Sequence, residues 1–162
     1  MAIVCLDSQI LIWGIKEEAT KGQEDMIPRA QSFLKWLDEN DKKVIIPAPI
    51  ITEILMPVPR ENYEKLLSVL HAKFRVVPFD EIAAIKCAEI WHSKADDELL
   101  KEYRKTFKIG KPQMRYAFQI AAIALTRQVE CIYSHDPHLK TFAGNLVSVR
   151  QIPPLSTQLS LF

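Results

Sequence analysis

The chain has 162 residues, 48% of them apolar and 25% charged, with a formal net charge of +1. That length suits one domain burying a single core, and the composition excludes disorder as the main state. A charge so near zero also excludes a molecule-wide attraction for nucleic acid, so any such binding has to come from a local patch.

Ala2-Ile3-Val4-Cys5-Leu6 is a short apolar run. It predicts a buried strand of a parallel sheet, because a strand covered on both faces needs no polar alternation. Asp7 stands at its carboxyl end, and Ile10, Leu11, Trp13 and Gly14 follow in a helical pattern that Asp7 or Ser8 can cap. Residues 17–25 are polar, contain Gly22 and read as a loop. Pro28 opens a helix with Ala30, Phe33, Leu34 and Leu37 on one face, and residues 43–47 form the second strand. A short helix follows, with Pro49 at a first helical position and Glu53 one turn in, stopped by Pro57 and Pro59.

Residues 62–72 predict an amphipathic helix with Tyr63, Leu66, Leu67 and Leu70 inward, and residues 74–78 a third strand. Asp80 caps the next helix, residues 81–92, whose inner face carries Ile82, Ile85, Ala88 and Ile90 or Trp91. Asp96-Asp97-Glu98 starts another helix, and Lys101, Arg104, Lys105 and Lys108 follow with the sign that suits its dipole. Pro112 begins the most apolar helix, through Leu125, rich in small residues for close packing on the sheet. Residues 130–134 form the fourth strand, meeting Asp136; a helix over 138–143 ends at Gly144, and residues 146–149 form a fifth strand.

Strands alternating with helices imply right-handed crossovers and a three-layer α/β/α domain over residues 1–150, with a central, mainly parallel sheet of four or five strands and a tail over 151–162. Cys5, Cys87 and Cys131 are odd in number, widely spaced and set among apolar residues, the pattern of buried thiols in a reducing cytoplasm. No basic segment precedes the first apolar run, and the longest apolar stretch is interrupted by prolines and Glu53, so neither a signal peptide nor a membrane span is expected.

Three strands end beside an acid: Asp7, Glu53 and Asp136. Each acid alone reads equally well as a cap or a solvated loop residue. Gathered at one sheet edge, carboxylates repel one another unless a cation joins them. Hard oxygen ligands suit Mg²⁺ or Mn²⁺, and such an ion beside a phosphate makes phosphodiester hydrolysis the natural reaction. Lys101, Arg104, Lys105, Lys108, Lys111 and Arg115 form a basic run that either guides an RNA backbone, with Tyr103 or Phe107 for stacking, or is a solvated helix face. His135 and His138 flank Asp136 but lack further ligands for zinc, and Trp13, Trp36 and Trp91 lie on apolar faces as core or interface residues.

Four segments together resemble the successive motifs of PIN-domain proteins, the family that includes the VapC-like toxins of toxin–antitoxin pairs. They are Val4-Cys5-Leu6-Asp7-Ser8, Pro49-Ile50-Ile51-Thr52-Glu53-Ile54, Gln119-Ile120-Ala121-Ala122-Ile123-Ala124 and Ile132-Tyr133-Ser134-His135-Asp136, in a resemblance that runs to about Val149. It implies a compact α/β/α domain with Mg²⁺- or Mn²⁺-dependent endoribonuclease activity, an antitoxin partner and a homodimer. Carried onto this sequence, Asp7, Glu53 and Asp136 are the catalytic and metal-holding acids. Ser8 and Ser134 are hydroxyl neighbours that orient carboxylates or a metal-bound water, and Arg104, Lys105, Lys108, Lys111 and Arg115 are available to the RNA backbone. The family pattern places a further acid three residues before Ile120, where this chain has Ala117. The departure implies either a naturally degenerate enzyme or a deliberate inactivating substitution.

Two other readings compete: a non-catalytic module that keeps the fold and binds a partner, and a receiver-like phosphotransfer domain, for which a lysine after a late strand is missing. Gln158-Leu159-Ser160-Leu161-Phe162 resembles the peptide with which bacterial DNA-repair and replication proteins dock onto the sliding clamp; the same residues are equally a tail that packs on its own domain or a dimer partner.

Overall fold

A computed structural model describes residues 2–155. The clamp-like segment 158–162 lies outside the described residues. Five strands, β1 (Ile3–Leu6), β2 (Lys43–Pro47), β3 (Arg75–Val77), β4 (Cys131–Tyr133) and β5 (Val149–Arg150), form one sheet in the order β3-β2-β1-β4-β5. Every pair is parallel, with Cys5 aligned to Ile45 on one side and to Ile132 on the other. The central strands are mostly apolar because helices cover both faces of the sheet; in β2 only Lys43, at its exposed start, is charged.

The connections explain the layers. From β1 the chain moves through β2 to β3 by way of α1 (Ser8–Gly14), α2 (Met26–Glu39), α3 (Ala48–Leu55) and α4 (Tyr63–Lys73). It returns through α5 (Glu81–Lys94), α6 (Glu98–Phe107) and α7 (Lys111–Thr126) to β4 on the far side of β1, and α8 (Pro137–Ala143) leads on to β5. Right-handed crossovers in opposite directions put the first set on one face and the second on the other. Accordingly α1 packs with α2 and α3, while α7 packs with α5 and α8. The reversal leaves a crevice at the carboxyl ends of β1 and β4, where open α/β sheets bind ligands.

Several elements depart from the sequence expectation. α2 begins at Met26, two residues before Pro28, which sits within the first turn where its missing N–H is harmless. The fifth strand is Val149–Arg150, because the amides of Leu146 and Val147 are engaged by the carbonyl of Ala143 in a turn. On α4 only Leu70 is buried; Leu66 and Leu67 are half-covered. α5 is rotated from the expected face: Ala83, Cys87 and Ile90 are buried, while Ile82 and Ile85 are 67% and 55% exposed. Small residues on α5 meet the alanine-rich face of α7, so closeness of approach decided the face over side-chain hydrophobicity. Asp80 caps α5 through the Ala83 amide, at 2.9 Å.

The three cysteines are free and buried, and burial pushes the Cys5 thiol well up. Among the described residues no helix is long and apolar enough to cross a membrane. Phe118 is wholly buried on α7, edge-on to Trp91 of α5 and to Phe142 of α8 at ring separations of 6.1 and 6.4 Å. It ties that helical layer together. Phe118→Ala is expected to destabilise the domain by about 3–5 kcal/mol, measured by urea unfolding; a loss below 1 kcal/mol would show that the layer closes around the vacancy.

Candidate active site

Asp7 ends β1 and performs two tasks at once. One carboxylate oxygen, Oδ1, accepts the Ser8 amide at 2.8 Å and caps α1; the other, Oδ2, accepts the Ser134 hydroxyl at 2.5 Å across the gap between β1 and β4. Ser134 Oγ accepts in turn the amide of Asp136 at 3.0 Å, which aligns the third acid on the same edge. On the opposite side, the Ser8 hydroxyl donates to Glu53 Oε2 at 2.6 Å and holds the second acid, carried by α3. Asp136 caps α8 through the His138 amide, at 2.8 Å. So two serines connect three acids from three separate segments.

The three acids and Ser8 line one cavity of about 600 Å³. Its far wall is α7, which contributes Gln113, Tyr116, Ala117 and Ile120, the spacing that puts residues on one helical face. Ala117 is buried in that wall opposite the acids. The Tyr116 hydroxyl is buried there close to the Glu53 carboxylate, without a hydrogen bond of good geometry among the described residues. Burial first, then the hydrogen-bonding proximity of Glu53, and then the negative charge of Glu53, Asp7 and Asp136 push its pKa up. In the sequence Tyr116, like Gln113 and Gln119, reads as a polar residue within reach of position 117 that carries no carboxylate; its place on the cavity face follows from its spacing beside Ala117.

Asp7 and Ser134 are only 8% and 3% exposed. Burial raises the Asp7 carboxyl from an ordinary 3.8 to about 6; the Ser134 and Ser8 bonds pull it down, and the charges of Glu53 and Asp136 push it up. Such a group gains from a nearby cation. The donor set, three carboxylates with unshared lone pairs beside an open cavity, therefore fits a divalent ion with hard-oxygen preference. It is not a ready-made cage: among the described residues no three acidic, histidine or cysteine side chains are gathered closely enough to hold a metal by themselves. Asp7 and Glu53 are turned toward their serines, Asp136 toward a helix end, and Ala117 brings no polar group to the facing wall.

The remaining candidates separate clearly. Lys105, Lys108, Lys111 and Arg115 are exposed, Arg104 is half-buried with its Nε donating to the Ile109 carbonyl, and none of the five lines the cavity. Lys101 is occupied by Asp96 and Glu98 on the surface. Tyr103 is not a free stacking platform, since its hydroxyl lies 2.6 Å from His138 Nδ1. His135 Nε2 accepts the Ile152 amide at 3.1 Å, and Arg29 donates to the carbonyls of Ile152 and Pro153, so the end of the domain is fastened beside the cavity. Burial and the Arg29 charge lower the His135 pKa, in keeping with a neutral acceptor ring. Trp13 is buried edge-on to His135 and also lines the cavity; Trp36 stacks on Phe33 and Trp91 meets Phe118.

The order of the sheet, the two helical layers and the acid-lined crevice define a PIN-like α/β/α fold. A chain in the crystal structure of VapBC2 from Rickettsia felis, bound to a DNA fragment from its promoter, superposes with a TM-score of 0.60 over 93% of this chain and 99% of that one. Sequence identity is 12%, so the likeness is one of fold. No family profile and no curated protein matches the chain.

The raised Asp7 pKa has a direct consequence for stability. Because the folded value, about 6, lies above the ordinary 3.8, the contribution of the protonated form is complete below about pH 4 and is lost as pH rises through 6. Asp7→Asn, which cannot ionise, is expected to match the parent near pH 4 and to exceed it by roughly 2–3 kcal/mol at pH 7.5 without metal, read as a Tm gap that opens with pH. A gap independent of pH would show that the Asp7 charge is not disfavoured in the folded chain.

Proposed function

We propose that this chain is a Mg²⁺- or Mn²⁺-dependent endoribonuclease of the PIN/VapC type, the toxin half of a two-protein system, with activity weakened by Ala117. The observation that carries the reading is the arrival of Asp7, Glu53 and Asp136, from three separate segments, on one cavity at the sheet's switch point. In this reading those three acids hold the ion. When bound, the ion supplies a Lewis acid for a phosphodiester and lowers the pKa of attacking water. The chain's own residues do the rest. Ser8 and Ser134 fix the directions of Glu53 and Asp7. Exposed Lys108 and Lys111 adjoin Ile109 and Pro112, which line the cavity, and with Arg104, Lys105 and Arg115 they are placed to hold an RNA backbone.

The reading brings two protein contacts with it. An antitoxin-like partner that blocks the acidic cavity would restrain the enzyme, as the two-component VapBC2 neighbour suggests. A second copy of the chain is the other partner, for which Ile82 and Ile85 offer an exposed apolar pair. Ala117 is the observation that favours the competing reading, a PIN-fold module that binds without cleaving.

Restoring the missing charge separates the two. Ala117→Asp is expected to lower the Tm of the metal-free chain, through added repulsion, and to raise Mn²⁺-dependent cleavage of single-stranded RNA by about tenfold or more, the scale on which one group around a metal acts. A folded variant with no gain in cleavage assigns the chain to binding alone.

A further inference from the structure

We propose that His138 is a positioning residue for the RNA, presenting an Nε2–H donor to a non-bridging phosphate oxygen beside the acidic edge, with Tyr103 setting the ring. The proposal rests on the nuclease reading above and adds a substrate contact to it.

The pair is built with care for orientation. Tyr103 Oη lies 2.6 Å from His138 Nδ1, joining residues 35 apart in the chain. The Tyr103 ring is held edge-on to Phe142 at 5.5 Å and against Phe107 at 4.6 Å, and Phe107 also meets the His138 ring edge at 6.0 Å. Among the described residues the hydroxyl has no other polar contact, and we take it as the donor to Nδ1. An imidazole that accepts at Nδ1 carries its own proton on Nε2. That nitrogen has no partner among the described residues, and His138 lines the cavity.

Position supports a phosphate as the acceptor. The His138 amide is bonded to Asp136 Oδ1, so the ring and the third acid leave from the same first turn of α8. A phosphate drawn to a cation among the acids still has non-bridging oxygens to satisfy, and the three carboxylates beside it, Asp7, Glu53 and Asp136, can only accept. An N–H donor next to Asp136 complements that need. A phosphate contact also carries no sequence preference, which separates it from contact with a base.

The test measures RNA binding by fluorescence anisotropy of labelled oligouridine and oligoadenine in Ca²⁺, with Mn²⁺ binding followed separately by calorimetry. His138→Ala is expected to weaken both RNAs equally, by about tenfold, the scale of one hydrogen bond to a charged group, and to leave Mn²⁺ affinity unchanged. His138→Gln, which keeps an N–H donor near the Nε2 position, is expected to recover most of that loss, and Tyr103→Phe to show part of it. An unchanged affinity for RNA, a loss confined to one RNA, no recovery with glutamine, or a parallel fall in Mn²⁺ affinity each overturns the proposal. If the parent chain binds and cleaves RNA while His138→Ala is indifferent, only this proposal falls; if the parent binds neither RNA nor Mn²⁺, the nuclease reading falls with it.

Discussion

The bond from the Ser134 hydroxyl to Asp7 Oδ2 is the constraint on which the rest of the site depends. It spans β1 and β4, the two neighbours whose outgoing connections leave to opposite faces, and so crosses the one place where the sheet opens a crevice. Ser134 also aligns Asp136, and Ser8, held by Asp7 at its amide, aligns Glu53. Remove Asp7 and both links lose their anchor. A residue that began as an ordinary helix cap is thus also the centre of a shared acidic edge.

That arrangement places function and stability in opposition. A carboxyl buried beside two others is held near pKa 6, so at neutral pH its charge works against the folded state. The surrounding structure tolerates the strain because the core is large and continuous: Phe33, Phe118, Leu6, Ile10 and Ile46 are fully buried on the two faces of the sheet. Ala117 fits the same balance. An acid there would add a fourth negative charge to the cavity wall, whereas alanine adds none.

Much of this was legible before any coordinates. The parallel sheet followed from the apolar runs at β1, β2 and β4; Asp7 and Asp136 were visible because each sits just past a strand, and Glu53 because it lies on the short helix that follows β2. What failed to read is instructive. The inward face of α5 was misjudged because Ile82 and Ile85 are the more apolar residues, whereas close approach to α7 selected Ala83 and Cys87. The Tyr103–His138 pair and the Arg29 contacts to Ile152 and Pro153 join residues far apart in the chain, and no local pattern encodes them. Tyr116 was within reach, since helical spacing from Gln113 to Ile120 places it beside Ala117 on the cavity face.

The proposed function requires a single divalent site shared by Asp7, Glu53 and Asp136. Calorimetric titration with Mn²⁺, comparing the parent chain with Asp7→Asn, Glu53→Gln and Asp136→Asn, addresses it directly. The account predicts saturable binding that each substitution weakens by about tenfold or more, with the fold intact by circular dichroism. Binding that survives all three substitutions, or no binding by the parent, would contradict it.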